Sequence, residues 1–360
     1  MSEEHNILYL ESIVLLQSLI QTPSFSREES ATADILENFF LSHGIIPERI
    51  GNNVIARNKY FNPANPTLLL NSHHDTVKPN PGYTRDPFTA TIEDGKLYGL
   101  GSNDAGGCLV ALIAAFQHFY ARSDLSYNLL IAATAEEEIS GSEGIERILP
   151  QLSKIDCALV GEPTGLDLAV AERGLMVLDC VVKGKAGHAA RNEGVNALEV
   201  AMDDIQWIRQ HQFKHLSELL GACKMTVTVI ETANRAHNII PAECRFVVDV
   251  RTNECYTHEE ILEEIRKNLH ATVTPRSIRL RASSIPIHHP LVQAGVANGR
   301  KMYGSPTTSD KALMPFPALK TGPGDSARSH SSDEYIYTGE IREGIDHYIH
   351  LIDHLQQSHK

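Results

Sequence analysis

Thr67-Leu68-Leu69-Leu70-Asn71-Ser72-His73-His74-Asp75 begins as an apolar run and breaks off into side chains that bind protons and metals. Its leucine run, bounded by polar residues, reads as a strand. Ligands of open α/β sheets bind beyond the carboxyl ends of such strands, which is where His73 and Asp75 fall. The pattern recurs along the chain. Spacing predicts strands at 53–57, 67–71, 127–134 and 157–160 and helices at 6–20 and 106–120. Ser26 and Glu29 form a capping-box pattern for a further helix, closed by Gly44. Strands and helices in this rhythm read as an α/β sheet with covering helices.

After Arg173 the rhythm changes. Strands are expected at 175–183, 224–230, 243–251 and 278–284, with helices at 196–212 and 257–269. That β-α-β-β-α-β order is a two-layer, ferredoxin-like module. A helix at 291–303, a short strand near Leu319 and a closing helix at 340–356 make a tail too small to fold alone. The tail therefore returns to the first domain, and the chain divides as 1–172 plus 287–360, with 173–286 inserted. A chain of 360 residues also outgrows a single core.

Composition excludes several roles. The formal net charge is −13, from 45 acidic residues against 32 Lys and Arg. Binding to phosphate backbones or anionic lipid needs clustered cations, so neither nucleic acid nor a membrane surface is an expected partner. No apolar run approaches the roughly 20 residues that span a bilayer. The start, Met1-Ser2-Glu3-Glu4-His5, lacks the basic and apolar stretches of a secretory leader. The six cysteines are scattered with no CxxC pair, which points to a reducing, cytoplasmic setting.

The chemistry-bearing residues gather just past expected strand ends. His73 followed by Asp75 suits a metal ligand with a carboxylate that orients it; a histidine packed at a strand end is the plainer reading. Asp104, inside Gly99-Leu100-Gly101-Ser102-Asn103-Asp104-Ala105-Gly106-Gly107, reads either as a helix N-cap or as a carboxylate between metals. The glycine spacing is not that of a dinucleotide fingerprint. Glu136-Glu137-Glu138 repel one another unless solvent or a cation absorbs the charge. Glu162 follows the strand at 157–160, and His330 lies in a loop after Gly322-Pro323-Gly324-Asp325. There is no GxSxG elbow, no phosphate-binding GxxxxGK[ST] loop and no HExxH helix.

Taken in order, His73-x-Asp75, Asp104, Glu137-Glu138, Glu162 and His330 resemble the co-catalytic zinc hydrolases of the acetylornithine deacetylase and succinyl-diaminopimelate desuccinylase family. Aminoacylases and glutamate carboxypeptidases belong to the same group. Gly184-Lys185-Ala186-Gly187-His188 and His237-Asn238-Ile239-Ile240-Pro241 also look like family motifs. The resemblance implies a zinc-peptidase-like catalytic domain whose mixed sheet is covered by helices, carrying an inserted dimerisation domain. It implies that His73 and Glu162 hold one zinc ion, Glu138 and His330 the other, and that Asp104 bridges them. Cobalt and manganese are the natural substitutes in such a mixed site. Asp75 would orient His73, and Glu137 would be the general base. His188, reaching in from the other subunit of a homodimer, and Asn238 and Arg251 would contact substrate. Leu100 and Gly107 stand where many relatives carry Arg and Lys, which leaves the subgroup open.

The expected activity is hydrolysis of the amide of an N-acyl amino acid, namely N-acetyl- or N-succinyl-ornithine or -citrulline, in arginine biosynthesis. Within the same fold the alternative is a succinyl-diaminopimelate desuccinylase or a di- or tripeptidase. From another class, a degenerate metal-binding interaction protein remains, though Glu137 beside a full ligand set argues against it.

Overall fold

A computed structural model describes residues 3–191 and 193–358; Met1 and Ser2, part of the amino-terminal stretch read above, lie outside them. The chain forms two compact units. The first is built from residues up to Val170, Ser284–Tyr303 and the stretch from Ser309 onward, and the second from Ala171–Ser283 and Gly304–Thr308.

At the centre of the first unit is a mixed sheet. Pro47–Ile50, Asn53–Arg57, Asn128–Thr134, Thr67–His73, Cys157–Val160 and Ala318–Lys320 lie side by side in that order. The last four run parallel to one another, with Thr67 opposite Asn128 and His73 opposite Thr134. Their carboxyl ends therefore open on one edge of the sheet.

The leucine run explains why this strand is central. Leu68 and Leu70 enter one core cluster together with helix Gly107–Tyr120, while Leu69 enters another with Ile145 and Ile148. Side chains alternate between the two faces of a strand, so apolar residues at every position require both faces to be covered. Leu129 and Ile131 against Leu130 and Ala132 repeat the alternation on the neighbouring strand. Helix Gly107–Tyr120 is buried almost all round and packs against Glu3–Ile20 and Thr338–Ser358, as a helix without a polar face must. A small antiparallel sheet of Thr91–Glu93, Lys96–Tyr98 and Tyr335–Tyr337 ties the carboxyl-terminal segment to the segment ahead of that helix.

The second unit has the expected β-α-β-β-α-β order. Its antiparallel sheet runs Lys224–Glu231, Glu243–Thr252, Gly174–Lys183, Thr272–Pro275. Met176, Leu178, Cys180 and Val182 alternate along Gly174–Lys183 into a separate core with helices Ala197–Gln210 and His258–Asn268. Thr257 and Glu260 form a reciprocal capping box that starts the second of these helices.

Three local expectations are overturned. The fourth strand of the module is Thr272–Pro275 rather than 278–284, because the helix before it stops at Asn268 and Val273 pairs with Cys180 at once. The helix expected at 291–303 spans only Pro290–Ala297: Asn298 caps it, Gly299 turns at φ 78, and Met302–Ser305 is a strand. The Ser26–Glu29 pattern is not a capping box. Helix Ser30–Ser42 starts without a side-chain cap, and the Ser26 hydroxyl donates to Asp75 instead, at 2.7 Å.

Candidate metal centre

The parallel strands deliver His73, Glu137, Glu138 and Glu162 to one edge of the sheet, each at or just beyond a strand's carboxyl end. Asp104 arrives from the turn Ser102–Gly106 at the start of the buried helix, and His330 from the loop after Ser326–Arg328. Asp104 is no N-cap: the residue that precedes helix Gly107–Tyr120 is Gly106, and no side-chain oxygen caps that end.

His73 is 1% exposed, and its two ring nitrogens have different surroundings. Nδ1 lies 3.0 Å from the Asp75 carbonyl and 3.4 Å from the Asp75 carboxylate. A proton on Nδ1 donated to Asp75 leaves the Nε2 lone pair pointing into the site. Nε2 is buried without a hydrogen-bond partner, yet it faces Asp104 at 3.4 Å and Glu137 and Glu162 at 3.8 Å. Those distances are too long for hydrogen bonds. They approach the roughly 3.3 Å between ligand atoms that each sit about 2.0 Å from a tetrahedral ion.

Candidate ligand atoms of His73, Asp104 and Glu138, and likewise of His73, Glu137 and Glu162, lie within 4.8 Å of one another. The Asp104 carboxylate has two sides. Oδ1 faces His73, while Oδ2 lies 3.7 Å from His330 Nε2, which itself meets Glu138 at 3.0 Å. One carboxylate between two imidazoles is the arrangement of a bridge between two cations.

Electrostatics point the same way. Burial pushes Glu162 up to about 8, with Asp104 adding to the effect. Burial likewise holds Glu137 well above the usual carboxylate range, His73 opposing and Glu162, Asp310 and Glu138 reinforcing. Burial alone would keep His73 neutral, but Glu137, Asp104 and Asp75 outweigh it and raise its pKa. The hydrogen bond to Glu138 lifts His330 to about 9. Glu137 and Glu162 are thus pushed up chiefly by burial and partly by neighbouring acids, and the two imidazoles are raised by the acids beside them. Asp104 is held down, against its burial, by His73 and His330. A divalent cation among them would relieve the crowding of buried carboxylates. The donor set of imidazole and carboxylate suits zinc and its neighbours.

Asp75 does more than hold His73. Its two oxygens accept the backbone N–H groups of Glu137 at 3.0 Å and Glu138 at 3.2 Å, so it fixes the start of the acidic run as well. Glu136, first of the three acids, turns away at φ 55 and lies 3.8 Å from Arg27.

Sequence reading missed two buried acids here. Asp310 accepts from Thr134 Oγ1 at 2.7 Å and Asn71 Nδ2 at 3.3 Å, beneath the strand ends, and burial raises it to about 6. Glu334, raised to about 7 by burial and by Asp104, accepts backbone bonds from the Asp104 turn. The only signal for Glu334 was its place four residues after His330; for Asp310 there was none.

His188, Asn238 and Arg251 belong to the second unit. His188 pairs with Ile239 in a short ribbon, and its Nδ1 accepts the Ala190 N–H at 3.1 Å. Asn238 is exposed and its carbonyl accepts from Ala189. Arg251 grips Asp249 through two bonds of 2.8 and 3.1 Å.

Comparison with known proteins adds a family. A family model described as peptidase family M20/M25/M40 matches residues 69–354. An acetylornithine deacetylase of Proteus mirabilis is 30% identical over 92% of this chain and 93% of its own length. A succinyl-diaminopimelate desuccinylase of a Ruegeria species is 27% identical over 73% of this chain and 70% of its own. Among solved structures, a dinuclear metal-binding peptidase of Bacillus subtilis superposes with a TM-score of 0.72, at 14% identity, over 96% of this chain and 98% of that one.

Proposed function

The chain belongs to peptidase family M20/M25/M40, a family of hydrolytic enzymes, and on that premise we propose that it cleaves the amide of an N-acyl amino acid at a dinuclear zinc centre. The observation that carries the reading is Asp104, whose two oxygens face two different histidines. His73 and Glu162 would hold one ion, Glu138 and His330 the other, and Asp104 both. Bound metal supplies Lewis acidity for the scissile carbonyl and the attacking water. Glu137 takes the proton from that water and passes it to the leaving amine nitrogen. Asp75 keeps Glu137 in place through its backbone N–H and keeps the His73 imidazole turned toward the site.

For the substrate, N-acetyl- and N-succinyl-ornithine and -citrulline come first. The names of the two relatives both describe removal of an acyl group from a diamino acid, which supports this class, and a place in arginine biosynthesis follows from it. The resemblance alone speaks for substrate contact by His188, Asn238 and Arg251, for a homodimer and for a cytoplasmic setting; no helix among the described residues is long and apolar enough to cross a membrane.

The test is amine release by zinc-loaded protein from those four compounds, with succinyl-diaminopimelate and a tripeptide alongside. Turnover of one or more of the four, above the other two, is expected. Preference for succinyl-diaminopimelate or the peptide would overturn the substrate and leave the hydrolase.

A further inference from the structure

The segment that carries His330 ends in a buried acid that the proposed hydrolysis does not use. Glu334 is 2% exposed. Its Oε1 accepts the backbone N–H groups of Asn103 and Asp104, both at 2.9 Å, and its Oε2 accepts that of Gly101 at 3.1 Å. Its own carbonyl accepts the Gly99 N–H at 3.0 Å, continuing the pairing of Tyr335–Tyr337 with Lys96–Tyr98. Gly101 stands at φ 74, a conformation open to glycine that lets amides of one turn converge on a single carboxylate.

We propose that Glu334 is a positioning residue for the metal centre: it clamps the turn that carries Asp104 to the segment that carries His330. The clamp sets the 3.7 Å separation of Asp104 Oδ2 and His330 Nε2. The inference rests on the reading of both residues as ligands of one ion. The other half of the centre shares Asp104 but has its remaining ligands fixed elsewhere. His73 ends a central strand and is oriented by Asp75, and Glu162 follows the adjacent strand. Loss of the clamp therefore acts unevenly, on the ion held by Glu138 and His330 and less on the ion held by His73 and Glu162. The loss is partial, because Asn103 also joins the two segments through the Asp325 carbonyl at 3.1 Å and Ser329 Oγ at 3.4 Å.

The experiment titrates metal-free wild type and Glu334→Gln with Co²⁺, following heat and the visible absorption of the bound ion. The Gln amide turns an N–H donor toward backbone donors, so one of the three bonds is replaced by a repulsion. Wild type is expected to bind two ions. The variant is expected to bind the ion held by Glu138 and His330 about 10–100-fold more weakly, the usual effect of losing support behind a ligand. The ion held by His73 and Glu162 is weakened by a clearly smaller factor, because Asp104 is shared. The absorption of the ion held by Glu138 and His330 changes more than that of the other. Two ions bound with wild-type affinities, or both weakened equally alongside a lower melting temperature, would overturn the clamp; the second result marks a general loosening of the fold. Fewer than two ions in wild type would overturn the dinuclear reading, and the clamp with it. If Glu334→Gln does not fold, Glu334→Asp keeps the charge, shortens the reach and reads the same split.

Discussion

Glu137 lies among like charges, and its place there separates binding from chemistry. Replacing its carboxylate by an amide in Glu137→Gln removes a charge from an overcharged cluster and leaves the backbone bond to Asp75 intact. Two metal ions should still bind, while amide hydrolysis falls by about 10²–10⁴-fold, the span ascribed to general acid–base catalysis. Metal analysis with turnover measurements checks this, and wild-type turnover would remove Glu137 from its role. Placement was legible at this scale where a ligand-type side chain sits at or just past a strand end, as His73, which closes its strand, and Glu162, two residues past Val160, do. It was hidden where the partner is backbone from far along the chain. Ser26 shows the difficulty: its spacing to Glu29 fits a local cap, but the hydroxyl goes to Asp75, which the chain brings near from 49 residues away.

The strand Thr67–His73 is both scaffold and carrier of the site. Leu69 is fully buried in the core cluster on the sheet face opposite the one covered by helix Gly107–Tyr120. Leu69→Ala should cost about 2–5 kcal/mol of stability, as leucine truncation in a packed core does. Because Leu69 lies four positions before His73 and in a core cluster of apolar residues, the folded fraction should keep wild-type metal stoichiometry. Denaturant unfolding with metal analysis checks both, and a cost below about 1 kcal/mol would place that face outside the packed core. Periodicity made the buried strands and the all-apolar helix readable. It failed at the fourth strand of the second unit, since a four-residue element gives too few positions to show a period. It failed again at Asn298 and Gly299, where local backbone preference ended a helix that apolar spacing alone would extend.

At the scale of the whole molecule, the chain's path explains why distant residues meet. Parallel strands each return the chain to the same sheet edge, so His73, Glu137, Glu138 and Glu162 converge although they are spread over 90 positions. The carboxyl-terminal stretch adds His330 and Glu334 to the same unit, after the second unit has intervened. The sequence leads one to expect such a return because 287–360 is too short for a core of its own, though Gly304–Thr308 groups with the second unit. The decisive measurement is amine release from the acylated ornithines and citrullines by one preparation, before chelation, after it, and after zinc is restored. A metal-dependent amidohydrolase loses turnover on chelation and regains it with two equivalents of zinc bound. Turnover that persists in protein shown to be free of metal would contradict the assignment.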